Sequence, residues 1–164
     1  MHKLSILFAA AALAVLPLRA QDNCKDAVVK RLKVSRDFSL KVADAMPAAD
    51  YNFKLTPAQM SFGEQMVHSV QGLAYFLSAF KGEKPNPGKP ASMSKEDVLA
   101  FMRSGFDNAI SYVETLTPAQ LAKDYKGDSG AELLIGMLEH TAHHRASAEM
   151  YLRAKGITPP QYMD

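Results

Sequence analysis

The residues with the clearest capacity for chemistry are Glu139-His140-Thr141-Ala142-His143-His144-Arg145. In a helix, side chains four apart share a face with Cβ atoms about 5–6 Å apart. His140 and His144 could therefore each offer a nitrogen to one divalent ion, as in helical His-x-x-x-His metal sites. Metalloproteases of that type carry a Glu directly after the first His as general base; Thr141 stands there instead, which disfavours zinc-protease chemistry. On a wheel of roughly 100° per residue the pair shares a stripe with Leu133, Met137, Ala148 and Tyr151. Both rings are thus predicted to point inward, either as ligands or as core histidines satisfied by other partners. His143 falls about 100° away, toward Glu132 and Glu139, and reads as solvated or as a support behind the first ligands.

His68 is the third candidate, and the wheel places it less favourably. The apolar stripe of its segment is Phe62, Met66, Val70, Leu73, Leu77 and Phe80, and His68 lies nearly opposite, with Glu64, Gly72, Tyr75 and Ala79. By periodicity alone it is a surface residue. The small Gly72 and Ala79 would let a neighbouring helix approach on that side, and Glu64, one turn earlier, could orient the ring.

The elements that must position these side chains are helical, with no convincing strand run. A first segment, about Asp26 to Ala45, offers Val29, Leu32, Phe38, Val42 and Met46 to a core and ends before Pro47. A second runs from near Ser61 to Lys81-Gly82. Three prolines and a glycine in Lys84-Pro85-Asn86-Pro87-Gly88-Lys89-Pro90 exclude helix there and predict a linker across one end of a bundle. A third begins after Ser94, an N-cap followed by acids in the first turn, and reaches about Glu114. The fourth spans about Gly130 to Lys155 and stops at Gly156, before Pro159-Pro160. Leu-Thr-Pro-Ala-Gln occurs at Leu55–Gln59 and again at Leu116–Gln120, and reads as a shared capping device, Thr at N-cap and Pro at N1. The fold class is all-α, a four-helix bundle; periodicity does not choose between up-down-up-down and other connections.

Residues 1–20 have the form of a cleavable secretory signal: Lys3, an apolar run from Leu4 to Leu16 too short for a membrane span of roughly 20 residues, and Ala20 before Gln21. The expected organisation is a signal peptide over 1–20 and one bundle domain over 21–164, in a secreted or periplasmic protein with no stable membrane span. Of the 19 basic residues two lie in the leader, and all 17 acidic ones lie downstream, so the remaining chain is formally neutral. Nothing in the charge pattern points to nucleic acid or a polyanion. A single cysteine, Cys24, cannot close an internal disulfide and is either free or paired with another chain.

Ser61-Phe62-Gly63-Glu64 leading into His68, the Asn-Pro-Gly linker, His140-x-x-His143-His144-Arg145 and the ending Tyr151-Leu-Arg-Ala-Lys-Gly-Ile-Thr-Pro-Pro160 together resemble the DinB-like family of metal-binding four-helix bundles. Ala146 and Ser147 depart from the Gly-Gln usual after the Arg. The resemblance implies His68, His140 and His144 as three ligands of a divalent transition metal, Zn, Ni, Fe or Mn. It also implies pairing into homodimers. Three protein ligands leave positions for water or a small-molecule substrate, so a metal-dependent hydrolase of a small substrate is the leading expectation. A non-catalytic metal-binding or stress-related bundle is the alternative, and thiol S-transfer, expected in the cytosol, fits an exported chain less well. Arg145 could hold an anionic substrate group or be an ion-paired surface residue; Glu64 and Glu149 are weak general-base candidates, and Tyr75 and Tyr151 either line a pocket or fill the core.

Overall fold

The computed structural model describes the backbone of residues 3–162 and the side chains of residues 24–162. The leader expected over 1–20 lies outside the residues whose side chains are described. Four long helices make the bundle: α1 (Lys3–Ala45), α2 (Phe62–Lys81), α3 (Lys95–Thr115) and α5 (Gly130–Ala154). A short α4 (Pro118–Ala122) and a two-stranded hairpin, β1 (Asp124–Tyr125) and β2 (Asp128–Ser129), join α3 to α5.

Local sequence sets the starts of these helices. Ser61, Thr117 and Ser129 each cap a helix by accepting from the N–H three residues on, while Glu64, Gln120 and Glu132 accept in return from the cap N–H. Such reciprocal boxes satisfy two otherwise orphaned donors. Ser94 caps α3 through the Asp97 N–H. Gly82, at φ 66°, ends α2 in the left-handed region that only glycine enters cheaply. The two Leu-Thr-Pro-Ala-Gln copies diverge: Thr117 nucleates α4, whereas Leu55–Gln59 forms only a turn closed by the Gln59 N–H donating to Thr56 O at 3.1 Å. The shared-cap expectation holds for the second copy alone.

Paired contacts fix the connectivity. Lys95 with Asp44 (3.0 Å), Arg36 with Asp107 (2.8 Å) and Lys33 with Glu114 (2.9 Å) run in opposite numerical order along α1 and α3, which are therefore antiparallel. Met60 with Tyr151, Gln65 with His144 and Phe80 with Gly130 make α2 and α5 antiparallel in the same way. The linker does not cross one end of the bundle. Gln71 Nε2, midway along α2, donates to Gly88 O at 2.8 Å, and Met93 lies against Gly63 at the start of α2. The Pro-rich segment thus runs back along α2, so α3 starts beside the start of α2 and runs parallel to it. The result is an up-down-down-up bundle with one long crossover. Neighbouring pairs are α1–α3, α3–α2, α2–α5 and α5–α1.

The core matches the predicted stripes of the first two segments except at Phe80, which is only partly buried: Val29, Leu32, Phe38, Val42 and Met46 are buried, as are Phe62, Met66, Val70, Leu73 and Leu77. On α5 the buried line is Leu134, Met137, Thr141, Arg145, Ala148 and Leu152, which puts His140 and His144 at its edge. The hairpin, unforeseen in the sequence, turns on Lys126 (φ 65°) and Gly127 (φ 111°). Two consecutive positive φ values give the turn whose twist suits a two-residue hairpin, and strands of two residues are too short for a visible alternation.

Candidate metal centre

His68 from α2 and His140 and His144 from α5 converge, and one ligand atom from each lies within 4.8 Å of the others. Ring centroids are 5.3 Å apart for His68–His140, 4.6 Å for His68–His144 and 4.5 Å for His140–His144. All three are half-buried. The wheel assigned His68 to a surface; α5 covers that surface, so the side opposite the apolar stripe is an interhelical seam.

Gly72 makes this approach feasible. A Cβ built on it would lie 2.1 Å from His140 Cε1 and 2.3 Å from Nδ1, inside any tolerated contact. Gly136, one turn before His140, receives the edge of Phe76 in the same manner, with 3.1 Å to the nearest ring carbon. Each helix thus sinks an aromatic ring into a glycine notch of the other. Small residues let backbones and rings approach where a Cβ would hold them apart.

Burial favours the neutral form of the two α5 histidines. Burial, then the proximity of His140 and His68, pushes the His144 imidazole down to about 4. Burial and then His68 lower His140 as well. Neutral imidazole is the form that ligates metal. His144 Nδ1 lies 2.8 Å from Gln65 Oε1. A carboxamide oxygen only accepts, so this nitrogen carries the proton and the lone pair resides on Nε2. His140 Nδ1 is buried with no hydrogen-bond partner. An unpartnered buried nitrogen, an imidazole with its tautomer fixed and a third ring within reach form a donor set that a divalent transition metal fits.

The remaining candidates fall elsewhere. His143 is exposed, its ring 4.9 Å from that of His144. Thr141 is buried and donates to Met137 O at 2.9 Å. Glu64 does not orient His68: its Oε2 accepts from the Ser61 N–H at 2.6 Å, committing the carboxylate to the helix start. Glu149 pairs with Arg153 at 3.5 Å. Tyr75 is 62% exposed, and Tyr151 is buried in the core, donating to Met60 O at 2.6 Å. Arg145 is neither a surface residue nor ion-paired among the described residues. It is buried, faces α1, donates to Ser35 Oγ at 2.9 Å and stacks over Phe38. Gln65 escaped the sequence reading; its spacing of three from His68, which places both on one helix face, was the available signal.

Comparison with known proteins agrees with the fold. The family model described as the DinB superfamily matches residues 31–148. A crystal structure of a DinB-like protein from Bacillus subtilis superposes with a TM-score of 0.72 at 21% identity, covering 84% of this chain and 98% of that one. A DinB-like protein from Bacillus cereus gives 0.68 at 18% identity, covering 84% and 97%. No protein of curated function matches. With the family model matched over residues 31–148, well over half of its length, the chain belongs to the DinB superfamily.

Proposed function

We propose that His68, His140 and His144 hold a divalent transition metal, Zn, Ni, Fe or Mn, and that the protein is a metal-dependent hydrolase of a small substrate. The observation that carries this reading is the convergence of three imidazoles from two helices, with His140 and His144 held toward the neutral form that ligates metal. A purely structural zinc site usually closes with four protein ligands, and no fourth ligand joins the cluster among the described residues. When bound, the ion would supply Lewis acidity toward a substrate carbonyl or phosphoryl oxygen.

The chain's own residues supply orientation and access. Gln65 fixes the His144 tautomer, and the Gly72 notch seats His140. An open cavity of about 400 Å³, lined by Lys54, Met60, Glu64, His68, Gln71 and Met93, gives a small molecule access to one of the three histidines, His68. Lys54 pairs loosely with Glu64 across this cavity, at 3.8 Å, and the methionines form an apolar wall. Part of the same proposal is that residues 1–20, with Lys3 and the apolar run from Leu4 to Leu16, act as a leader that exports the chain. Exposed Ile135, Met150 and Tyr75 supply apolar surface on α5 and α2 for the proposed homodimer.

One observation favours a second reading, a metal-holding bundle without turnover. Among the described residues, the two carboxylates considered as bases already have partners: Glu64, although it lines the cavity beside His68, accepts from the Ser61 N–H, and Glu149 pairs with Arg153. Elemental mass spectrometry on the untagged chain, beside His68→Ala and His144→Ala, tests the metal. Near-stoichiometric metal lost in both variants is expected. Turnover of esters, amides or lactams that disappears with His144→Ala identifies a hydrolase, and tight metal without turnover identifies the second reading.

A further inference from the structure

On the face of α5 turned away from α2, Arg145 is only 8% exposed, and no carboxylate pairs with it among the described residues. Its Nη1 donates to Ser35 Oγ at 2.9 Å, and its guanidinium carbon lies 4.8 Å from the Phe38 ring centroid. A guanidinium has five N–H donors, and buried charges are ordinarily paired. Arg145 lines a cavity of about 140 Å³ between α1 and α5, and Arg31 lines the same cavity. Arg31 Nη2 donates to the Tyr162 hydroxyl at 2.7 Å. Burial, and the like charge of Arg31, both disfavour the Arg145 cation; Tyr162 and Glu149 offset this.

Two guanidinium groups facing one small cavity, one of them buried, make a concentration of positive charge with which no carboxylate pairs directly among the described residues, Glu149 acting on Arg145 only through space. Ser35 and Tyr162 use an oxygen lone pair to accept from the arginines, which leaves each hydroxyl proton available to a further acceptor. The cavity has room for several waters at roughly 30 Å³ each and falls well below the roughly 300 Å³ at which drug-sized ligand sites begin. Arginine's planar fork matches the oxygens of carboxylate and phosphate.

We propose that the α1–α5 cavity at Arg31 and Arg145 is a binding site for a small oxyanion, with Ser35 and Tyr162 as additional donors. The site is separate from the histidine cluster, which faces α2, and it stands whether or not the protein is a hydrolase.

The test is calorimetric titration of the full chain with inorganic phosphate, and separately with acetate, at an ionic strength held constant with sodium chloride. Saturable one-to-one binding is expected, weakened about tenfold or more by Arg31→Gln, which removes one charge-assisted contact at an exposed position that leaves the fold intact. Arg145→Lys, keeping the charge but not the fork, should weaken it as well. His68→Ala should leave it unchanged, which separates this site from anion binding at a metal. Phosphate binding that acetate fails to displace would define a tetrahedral-anion site, and mutual competition a general oxyanion site. Absence of binding for both anions, or binding indifferent to Arg31→Gln, or binding lost in His68→Ala, would overturn the proposal and leave Arg145 a structural cation.

Discussion

The His140 imidazole occupies the space where a side chain on Gly72 would begin: a Cβ there would lie 2.1 Å from His140 Cε1. The site therefore depends on the absence of an atom as much as on its three rings. Gly72→Ala should separate site from fold. The obstructing group is a side-chain ring that can swing away, and alanine improves a helix interior by roughly 0.5–1 kcal/mol over glycine. Stability to urea is expected to stay level or rise slightly, while metal content in competition with a chelator falls. Retained metal in this variant would show that His140 is not a ligand.

Gln65 offers a quieter test. Its carboxamide accepts from His144 Nδ1–H at 2.8 Å, and removing such a partner typically costs 10–100-fold in metal affinity. Gln65→Met, similar in size and helix propensity, should weaken metal binding by about that factor with little change in unfolding midpoint. Gln65→Glu should restore it, because a carboxylate accepts the same bond.

The shifted histidines predict a pH dependence for the chelated protein. The unfolded imidazole protonates near 6.5, whereas folded His144 does so at about 4, and His140 is shifted in the same direction. Between these values the unfolded chain binds more protons, so stability is complete above about pH 6.5 and is lost as pH falls toward about 4. Urea midpoints across that range should decline, and His144→Gln should flatten part of the decline. An unchanged slope in the variant would mean that other groups govern the acid limb.

Gly130 opens α5 against the preceding segment, with a built Cβ only 2.3 Å from Gln120 O and 2.9 Å from Leu121 Cα. Both obstructing atoms are backbone and cannot rotate aside. Gly130→Ala is expected to destabilise by about 1–3 kcal/mol, the usual range for overpacking, read as a lower urea midpoint. Its effect on metal content should be indirect, appearing only as the fold is lost.

Much of the architecture was legible in the sequence because it is local. Caps at Ser61, Ser94 and Ser129, the stop at Gly156 and the prolines after Lys84 act within a few residues, so α2, α3 and α5 appear within a residue or two of their expected bounds. The His140–His144 pairing is local too, since one helical turn enforces it. His68 was different. Its own helix places it opposite the apolar stripe, and only the packing of α5 over that side turns an apparent surface into a seam. The linker's return along α2, which makes α2 and α3 parallel, likewise depends on where Gly88 and Met93 dock and not on the prolines that forbid helix.

Sequence by itself therefore determined α2, α3 and α5 with their ends, the end of α1, most of the core stripes and two of the three converging rings, but neither the start of α1, which is Lys3 and not Asp26, nor α4; hydrogen-bonding period and capping chemistry are properties of contiguous residues. Tertiary structure alone decided that His68 joins them, that Gly72 and Gly136 are notches, that Gln65 fixes a tautomer, and that Arg145 is buried toward α1 while its neighbour His144 faces α2. Those relationships join residues up to 110 positions apart, as Ser35 and Arg145 are. They are set by which helix faces meet, a choice governed by the packing of the whole bundle.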